Sequence, residues 1–367
     1  MESQFAVILQ KHRHLGWILA PFDLVRGKDK DFYEPLEYLL PESNTRYTAP
    51  HEKKIIALIA KYDEKQLFTK FAKKKKDAQK DFLEKVKEDY FAEEIRPYIE
   101  RYIFDCFKLI REHAVPMYIR EGEANLYPED HLVIKEEEPN VVFNFNKTET
   151  GLQYGLQVSE NNKTTKLLGR FFVLLSNSPS LIVIERTIYH FTKIDGKKLL
   201  PFFNKEQIVI PQKFEQQYFD TFVLNCIKNY QVIATGFDIL DIYEVPQISA
   251  TIVRDLQNNA GIEFTLTYRK WKCNDFFSAK QYHVEYTNIN NNPKYLRINR
   301  NYEFEKQFLD VIYASGLKNT NQFWNLSQFE SDGYYDILQW IQANKEFLDN
   351  YAMEIFDVSE KKIQNLE

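Results

Sequence analysis

Apolar residues near the start of the chain alternate with polar ones. Phe5, Val7 and Leu9 do so first, and Trp17, Leu19 and Phe22 resume after the polar tip Lys11 to His14. A period of two lines one face of a pleated strand, so residues 5–10 and 15–25 read as a hairpin. The period then lengthens. Ile55, Ile56, Leu58 and Ile59 cluster, and Ile95, Ile99, Tyr102, Ile103, Cys106, Phe107 and Ile110 recur at helical spacing. Pro97 suits a first helical turn, whose N–H groups have no partner within the helix, so a helix is expected to restart near Glu94.

Residues 127–140 carry Pro128, Glu129, Asp130, Glu136, Glu137, Glu138 and Pro139 and read as a linker. Beyond it the period returns to two, which predicts strands at 141–147, 152–158, 170–175 and 181–191, with a turn at Asn161-Asn162-Lys163. A helix over 211–230 opens at Pro211 and places Phe219, Phe222, Val223, Cys226, Ile227 and Tyr230 on one face. Its partner is expected to be a sheet containing Ile208, Ile210, Val232 and Ile233, with Phe222 deeply buried. Ile248, Ala250 and Ile252 alternate next, then Ile262, Phe264, Leu266 and Tyr268, then Tyr282, Val284 and Tyr286. Helices follow at 302–315, stopped by Gly316, and near 334–348.

The expected fold class is α+β: a helical N-terminal part with a leading hairpin, then a mostly antiparallel β-rich part with an inserted helix. Regular β-α alternation, which a doubly wound sheet needs, is missing. Three segments are expected: 1–135, hairpin plus helical region; 136–300, the β-rich domain; and 301–367, a helical C-terminal segment. The final Leu366-Glu367 matches the scar between an insert and a purification tag, which would make the chain a fragment. A native terminus ending in Leu-Glu is the other reading.

Composition narrows the function classes. The 367 residues include 29 Phe and 23 Tyr, ample material for a packed core. Net charge is −5, so no global field attracts nucleic acid or membrane, and a polyanion contact must come from local patches. Cys106, Cys226 and Cys273 are widely spaced and odd in number, which fits a reducing compartment rather than a disulfide framework. Neither a signal peptide nor an apolar run of spanning length is visible. The reading is a cytoplasmic protein with no membrane partner.

Chemical motifs are sparse. A phosphate loop needs GxxxxGK[ST], but Gly27-Lys28 and Gly196-Lys197 have Phe22 and Phe191 five residues earlier and no Ser or Thr next. His12 and His14 form an HxH flanked by Lys11 and Arg13, with no carboxylate close in sequence, and zinc needs three or four ligands. His51, His113, His131, His190 and His283 are solitary. Glu-x-Lys occurs only at Glu52/Lys54 and Glu360/Lys362, outside predicted strands. Cys273 follows Lys272, which could favour a thiolate, yet no paired histidine is evident. No catalytic residue, metal site or cofactor is assigned, and the chain alone is expected to hydrolyse no ATP.

Two basic sets remain. Lys70, Lys73, Lys74, Lys75, Lys76 and Lys80 crowd a short window relieved by Asp77, the composition of a nonspecific phosphate contact. These six lysines are the candidate nucleic-acid-binding residues; a solvated helix face is the plain alternative. A weaker set interleaves Arg254, Arg269, Lys270, Lys272, Arg297 and Arg300 with Tyr268, Trp271 and Tyr295. It reads as a base-stacking surface or, equally, as the edge of a sheet core.

A family resemblance enters on order. Asp195-Gly196-Lys197-Lys198-Leu199-Leu200-Pro201-Phe202-Phe203 precedes Ile208-Val209-Ile210-Pro211, then Tyr218-Phe219 and Ala234-Thr235-Gly236-Phe237. Phe264 to Tyr268 and Ile298 to Glu303 continue it. Over 138–330, about half the chain, this order resembles the region ahead of the motor in bacterial Swi/Snf-type DNA helicases. The family's phosphate loop and acidic magnesium box are absent. The resemblance therefore implies a non-motor, accessory region that positions DNA, binds a partner or regulates the motor, its partners being DNA and the motor domains of a parent chain. Two rivals stand beside it: a self-contained interaction or structural module, and an enzyme whose site is scattered through the sequence.

Overall fold

A computed structural model describes residues 2–27, 30–72, 81–122, 125–160, 163–255, 258–278, 280–289, 292–320, 323–326 and 333–357. The chain divides into two compact units. The first is Met1–Pro211 with Asn229–Ile233, and the second is Gln212–Lys228 with Ala234–Glu367. The division between the units falls beside Pro211.

In the first unit, β1 (Glu2–His12) and β2 (Gly16–Arg26) pair antiparallel along their whole length. They are not an appendage to a helical part, as expected from the sequence. They form the centre of a four-stranded sheet in which β3 (Tyr33–Tyr38) flanks β2 and β4 (Met117–Arg120) runs parallel beside β1. The protein is 33% helical and 40% strand, with many small sheets, which overturns the helix-first reading. The cause is visible in β1. Val7 and Leu9 face one core, Ala6 and Ile8 face another, and all four are at 0% exposure. A strand buried on both faces reads as a continuous apolar run rather than a clean alternation.

Helices α1 (Pro50–Ile59), α2 (Glu64–Phe71), α3 (Phe82–Lys85), α4 (Glu88–Tyr90) and α5 (Arg96–Glu112) follow β3. A π-turn at Phe91–Ile95 joins α4 to α5, and Pro97 stands in the first turn of α5. Proline cannot supply the next backbone donor, so the turn loosens there. Ile99, Ile103, Cys106, Phe107 and Ile110 make the buried stripe of α5. The same core reaches a second sheet of order β5 (Val133–Ile134), β11 (Thr187–Phe191), β10 (Ser180–Ile184) and β9 (Phe172–Ser176). Arg96 ties these layers. Its guanidinium donates to the carbonyls of Leu15 at 3.0 Å, Leu174 at 3.2 Å and Leu175 at 3.1 Å and pairs with Glu100 at 3.0 Å.

Two local expectations change here. The strand read over 181–191 is a hairpin, because Glu185 takes a left-handed φ of 56° and reverses the chain between β10 and β11. The stretch read as a linker at 127–140 is built in: Val133 and Ile134 pair parallel with β11, and Leu132 is buried. The third sheet joins β6 (Asn140–Thr148), β7 (Gly151–Glu160), β8 (Lys163–Lys166), β12 (Ile208–Pro211) and β13 (Gln231–Thr235). A short α6 (Pro201–Asn204) precedes β12.

The second unit opens with α7 (Gln212–Tyr218), a π-turn at Phe219–Val223 and α8 (Leu224–Asn229). Ile208, Ile210, Val232 and Ile233 belong to the first unit. Within its own unit the helix packs on a three-stranded sheet of order β14 (Asp238–Tyr243), β19 (Asn292–Asn299) and β18 (Tyr282–Ile289). Tyr295 of β19 donates to the Phe219 carbonyl at 2.7 Å, and Tyr282 of β18 donates to that of Ile227 at 3.0 Å. The last sheet contains β15 (Gln247–Arg254), β16 (Ala260–Tyr268), β17 (Trp271–Cys273), β20 (Leu317–Asn319), β21 (Trp324–Leu326) and β22 (Glu354–Phe356). Its core includes α9 (Tyr302–Ala314), α10 (Tyr334–Ala343) and α11 (Lys345–Asn350). Parallel pairs recur, as between β14 and β19 and between β15 and β22.

Candidate functional site

Most of the lysine run cannot be placed: Lys73, Lys74, Lys75, Lys76 and Lys80 lie outside the described residues. Lys70 is in the last turn of α2 and is exposed, with its ammonium 4.5 Å from the centre of the Tyr98 ring. That is a cation–π contact at a surface, and it leaves the charge open to solvent.

The histidine tip gains partners that are distant in sequence. His12 Nε2 is 3.4 Å from Glu64 of α2, and His14 Nε2 is 3.9 Å from Glu84 of α3. Sequence spacing gave no sign of these carboxylates. Yet His12 Nδ1 accepts the backbone N–H groups of His14 at 3.2 Å and Leu15 at 3.3 Å. In the neutral ring the proton then sits on Nε2, the atom aimed at Glu64, and that atom has no lone pair for a metal. No group of three or more metal-ligating side chains occurs among the described residues.

Other candidates are absorbed by the fold. Gly196 and Lys197 donate their backbone N–H groups to the backbone and side-chain oxygens of Asn177, at 3.0 Å and 2.9 Å. A Cβ at Gly196 would lie 2.3 Å from Leu174, so this turn needs glycine for packing and has no free amides for phosphate. Glu52 accepts the Ala49 N–H at 3.0 Å as a helix cap. All three cysteines are buried, and burial pushes the Cys106 and Cys273 thiols up, away from the thiolate.

Burial also lowers His12, His190 and His283 below the ordinary 6.5. For His190 this is the main effect; Glu138 opposes it, while Arg111 and Lys108 add to it. Its ring lies against Phe104 and Phe107, at 5.3 Å and 6.2 Å. A histidine with a depressed folded pKa binds its proton more readily when unfolded. Its contribution to stability is complete above the unfolded value of 6.5 and is lost as pH falls through that value toward the folded one. Urea unfolding is therefore expected to show lower stability at pH 5 than at pH 7.5, with a smaller drop in His190→Gln. Equal drops in parent and variant would remove His190 from the account.

The second basic set separates into spent and open charges. Arg300 is buried against Glu305, and Tyr268 and Tyr295 are at 0% exposure. Arg297 pairs with Asp241 at 3.3 Å. Arg254 is at the far end of β15, over the Tyr334 ring. Arg269, Lys270 and Lys272 remain, exposed around the turn from β16 to β17, together with Lys280. None of these four is ion-paired among the described residues. Of the four, Lys280 has its ammonium 5.0 Å from the Trp271 ring, which stacks on His283 at 5.6 Å, while Lys272 is on the other face of β17.

No family model, curated protein or solved structure matches this chain. The Swi/Snf-type resemblance therefore stands on its quoted residues alone. No helix among the described residues is long and apolar enough to cross a membrane.

Proposed function

We propose that this chain is a non-catalytic accessory region that positions DNA, in keeping with the non-motor region of a Swi/Snf-type translocase. One observation carries the reading: Arg269, Lys270 and Lys272 are exposed cations at the turn from β16 to β17 with no ion pair among the described residues, and Lys280 lies over the Trp271 ring, while neighbouring arginines are held by internal contacts. Unpaired charges on a surface cost nothing to solvate and are available to phosphate. Against a net charge of −5, such a patch gives weak, salt-sensitive binding.

Fluorescence anisotropy with labelled DNA tests this. If Arg269, Lys270 and Lys272 each neutralise a phosphate, replacing all three by Glu should reduce the slope of log affinity against log salt by roughly 2 to 3. At moderate salt, binding should fall at least tenfold, with little change in melting temperature. Replacing Lys73, Lys74, Lys75 and Lys76 by Glu is the comparison. If that change alone abolishes binding, the contact belongs to the lysine run; if neither change affects it, the DNA reading fails.

A further inference from the structure

In the first unit, β7 carries two strands on the edge away from β6. β12 pairs with it as far as Tyr154 and β8 pairs from Gln157 onward, which leaves Gly155 and Leu156 between them. A cavity of about 150 Å³ opens at this gap. Its polar lining follows from strand register. Asn144 of β6 lies opposite Gly155, and Gln157 lies opposite Lys166 of β8. The period of two puts Asn144, Gly155, Gln157 and Lys166 on one face of the sheet. Lys166 reaches across the gap to Glu206, at 2.5 Å, in the segment that leads into β12. A Cβ at Gly155 would lie 3.0 Å from the Glu206 carbonyl oxygen, so glycine lets that segment pass close over the sheet. Among the lining residues, Leu156 and Phe202 are buried and mark the deep end, while Glu206 and Gln207 are exposed and mark the mouth.

One group in this lining has unused hydrogen-bonding capacity. The Asn144 amide nitrogen is buried and meets no acceptor among the described residues, whereas nearly all buried polar groups have a partner. Lys166 and Glu206 cancel each other's charge, so the mouth favours neither an anion nor a cation. What it offers is donors and acceptors side by side, from the ion pair and from the amides of Asn144 and Gln157. A hydroxyl both donates and accepts, which matches such a lining. The volume equals that of about five waters. We propose that the cavity binds a small neutral polyol or sugar, of about pentose size or less, with one hydroxyl accepting from Asn144 and others bridging Lys166 and Glu206. This site is separate from the DNA reading, which rests on residues of the second unit.

Saturation-transfer NMR with xylose as the probe tests this, and cyclohexanol, which has a single hydroxyl, is the control. Xylose should receive saturation from the protein and bind in the millimolar range, as a small ligand in a shallow site does, and cyclohexanol should not. Asn144→Leu keeps the side-chain volume and removes the donor. It should weaken xylose roughly fivefold, the worth of one hydrogen bond. It should also leave the melting temperature unchanged or higher, because a buried amide without an acceptor disfavours the folded state. Glu206→Gln, at an exposed position, is the second variant and should weaken xylose to a similar degree with no loss of fold. Absence of transfer to xylose in the parent protein, or equal transfer in the parent and both variants, would overturn the assignment. A melting temperature lowered by several degrees in Asn144→Leu would show that the amide is already satisfied within the fold, and would overturn it as well.

Discussion

Replacing Glu305 by alanine is expected to cost about 3–5 kcal/mol, the usual consequence of leaving one member of a buried ion pair alone. Arg300 and Glu305 have side chains at 0% and 3% exposure. The Arg300 Nε sits 3.0 Å and 3.1 Å from the two carboxylate oxygens, and one terminal nitrogen donates to the carboxylate as well. The guanidinium also donates to the carbonyls of Ser278 at 3.0 Å and Phe276 at 3.1 Å. Tyr268 donates to Glu305 at 2.6 Å and accepts the Asn301 N–H at 3.0 Å. Burial, reinforced by that carboxylate, raises the Tyr268 phenol well above its ordinary range, so it remains a donor. The cluster fixes the end of β19 to the first turn of α9 and to β16. In Glu305→Ala the cation keeps its carbonyl acceptors and loses its counter-charge. Glu305→Gln keeps an acceptor and should cost less. Arg300→Met combined with Glu305→Leu should cost less than the two single changes added together, because no lone charge is left. Urea unfolding of the five variants measures this, and a cost below about 1 kcal/mol for Glu305→Ala would contradict the assignment.

That cluster also marks the limit of what the sequence made legible. Arg300 was visible as one cation among aromatics, but its partner is a helical residue five positions on, whose side chain turns inward. Composition cannot separate a spent cation from an open one; only the fold shows that Arg300 is enclosed while Lys272 is not. Long elements with a strong period were readable: α5 from its apolar stripe, α9 with Gly316 after it, and the β15–β16 pair. Short strands were not. Met117–Arg120 joins the first sheet by pairing with β1, more than a hundred residues away in sequence, and Val133–Ile134 is only a dipeptide. Neither has enough positions to show a period. The carboxylates beside His12 and His14 were hidden for the same reason, since Glu64 and Glu84 reach the hairpin tip only through helix packing.

Phe219→Ala is expected to destabilise the protein by about 3–5 kcal/mol, and Phe222→Ala by clearly less, about 1–2 kcal/mol. An uninterrupted helix over 211–230 gives the opposite emphasis, with Phe222 the deep anchor. The π-turn at Phe219–Val223 changes the phase. A wider turn holds an additional residue, and each residue corresponds to about 100° of rotation, so Val223 rather than Phe222 takes the buried position next to Phe219. Phe219 is 1% exposed and Val223 0%, whereas Phe222 is half-buried against Tyr218. Thr221 contributes to the loosening, because its hydroxyl donates to the Gln217 carbonyl at 2.6 Å and competes for the regular backbone bond. Phe219 itself meets Phe237 edge-on at 5.1 Å, and its carbonyl accepts the Tyr295 hydroxyl. Removing the ring opens a cavity where α7, the π-turn and β19 converge. Gln217 is exposed, so Gln217→Ala should stay within about 0.5 kcal/mol of the parent. Chemical unfolding of the three variants distinguishes the two phases. If Phe222→Ala proves the costlier aromatic change, the helix is regular through this segment, and the stripe runs as the uninterrupted period predicts.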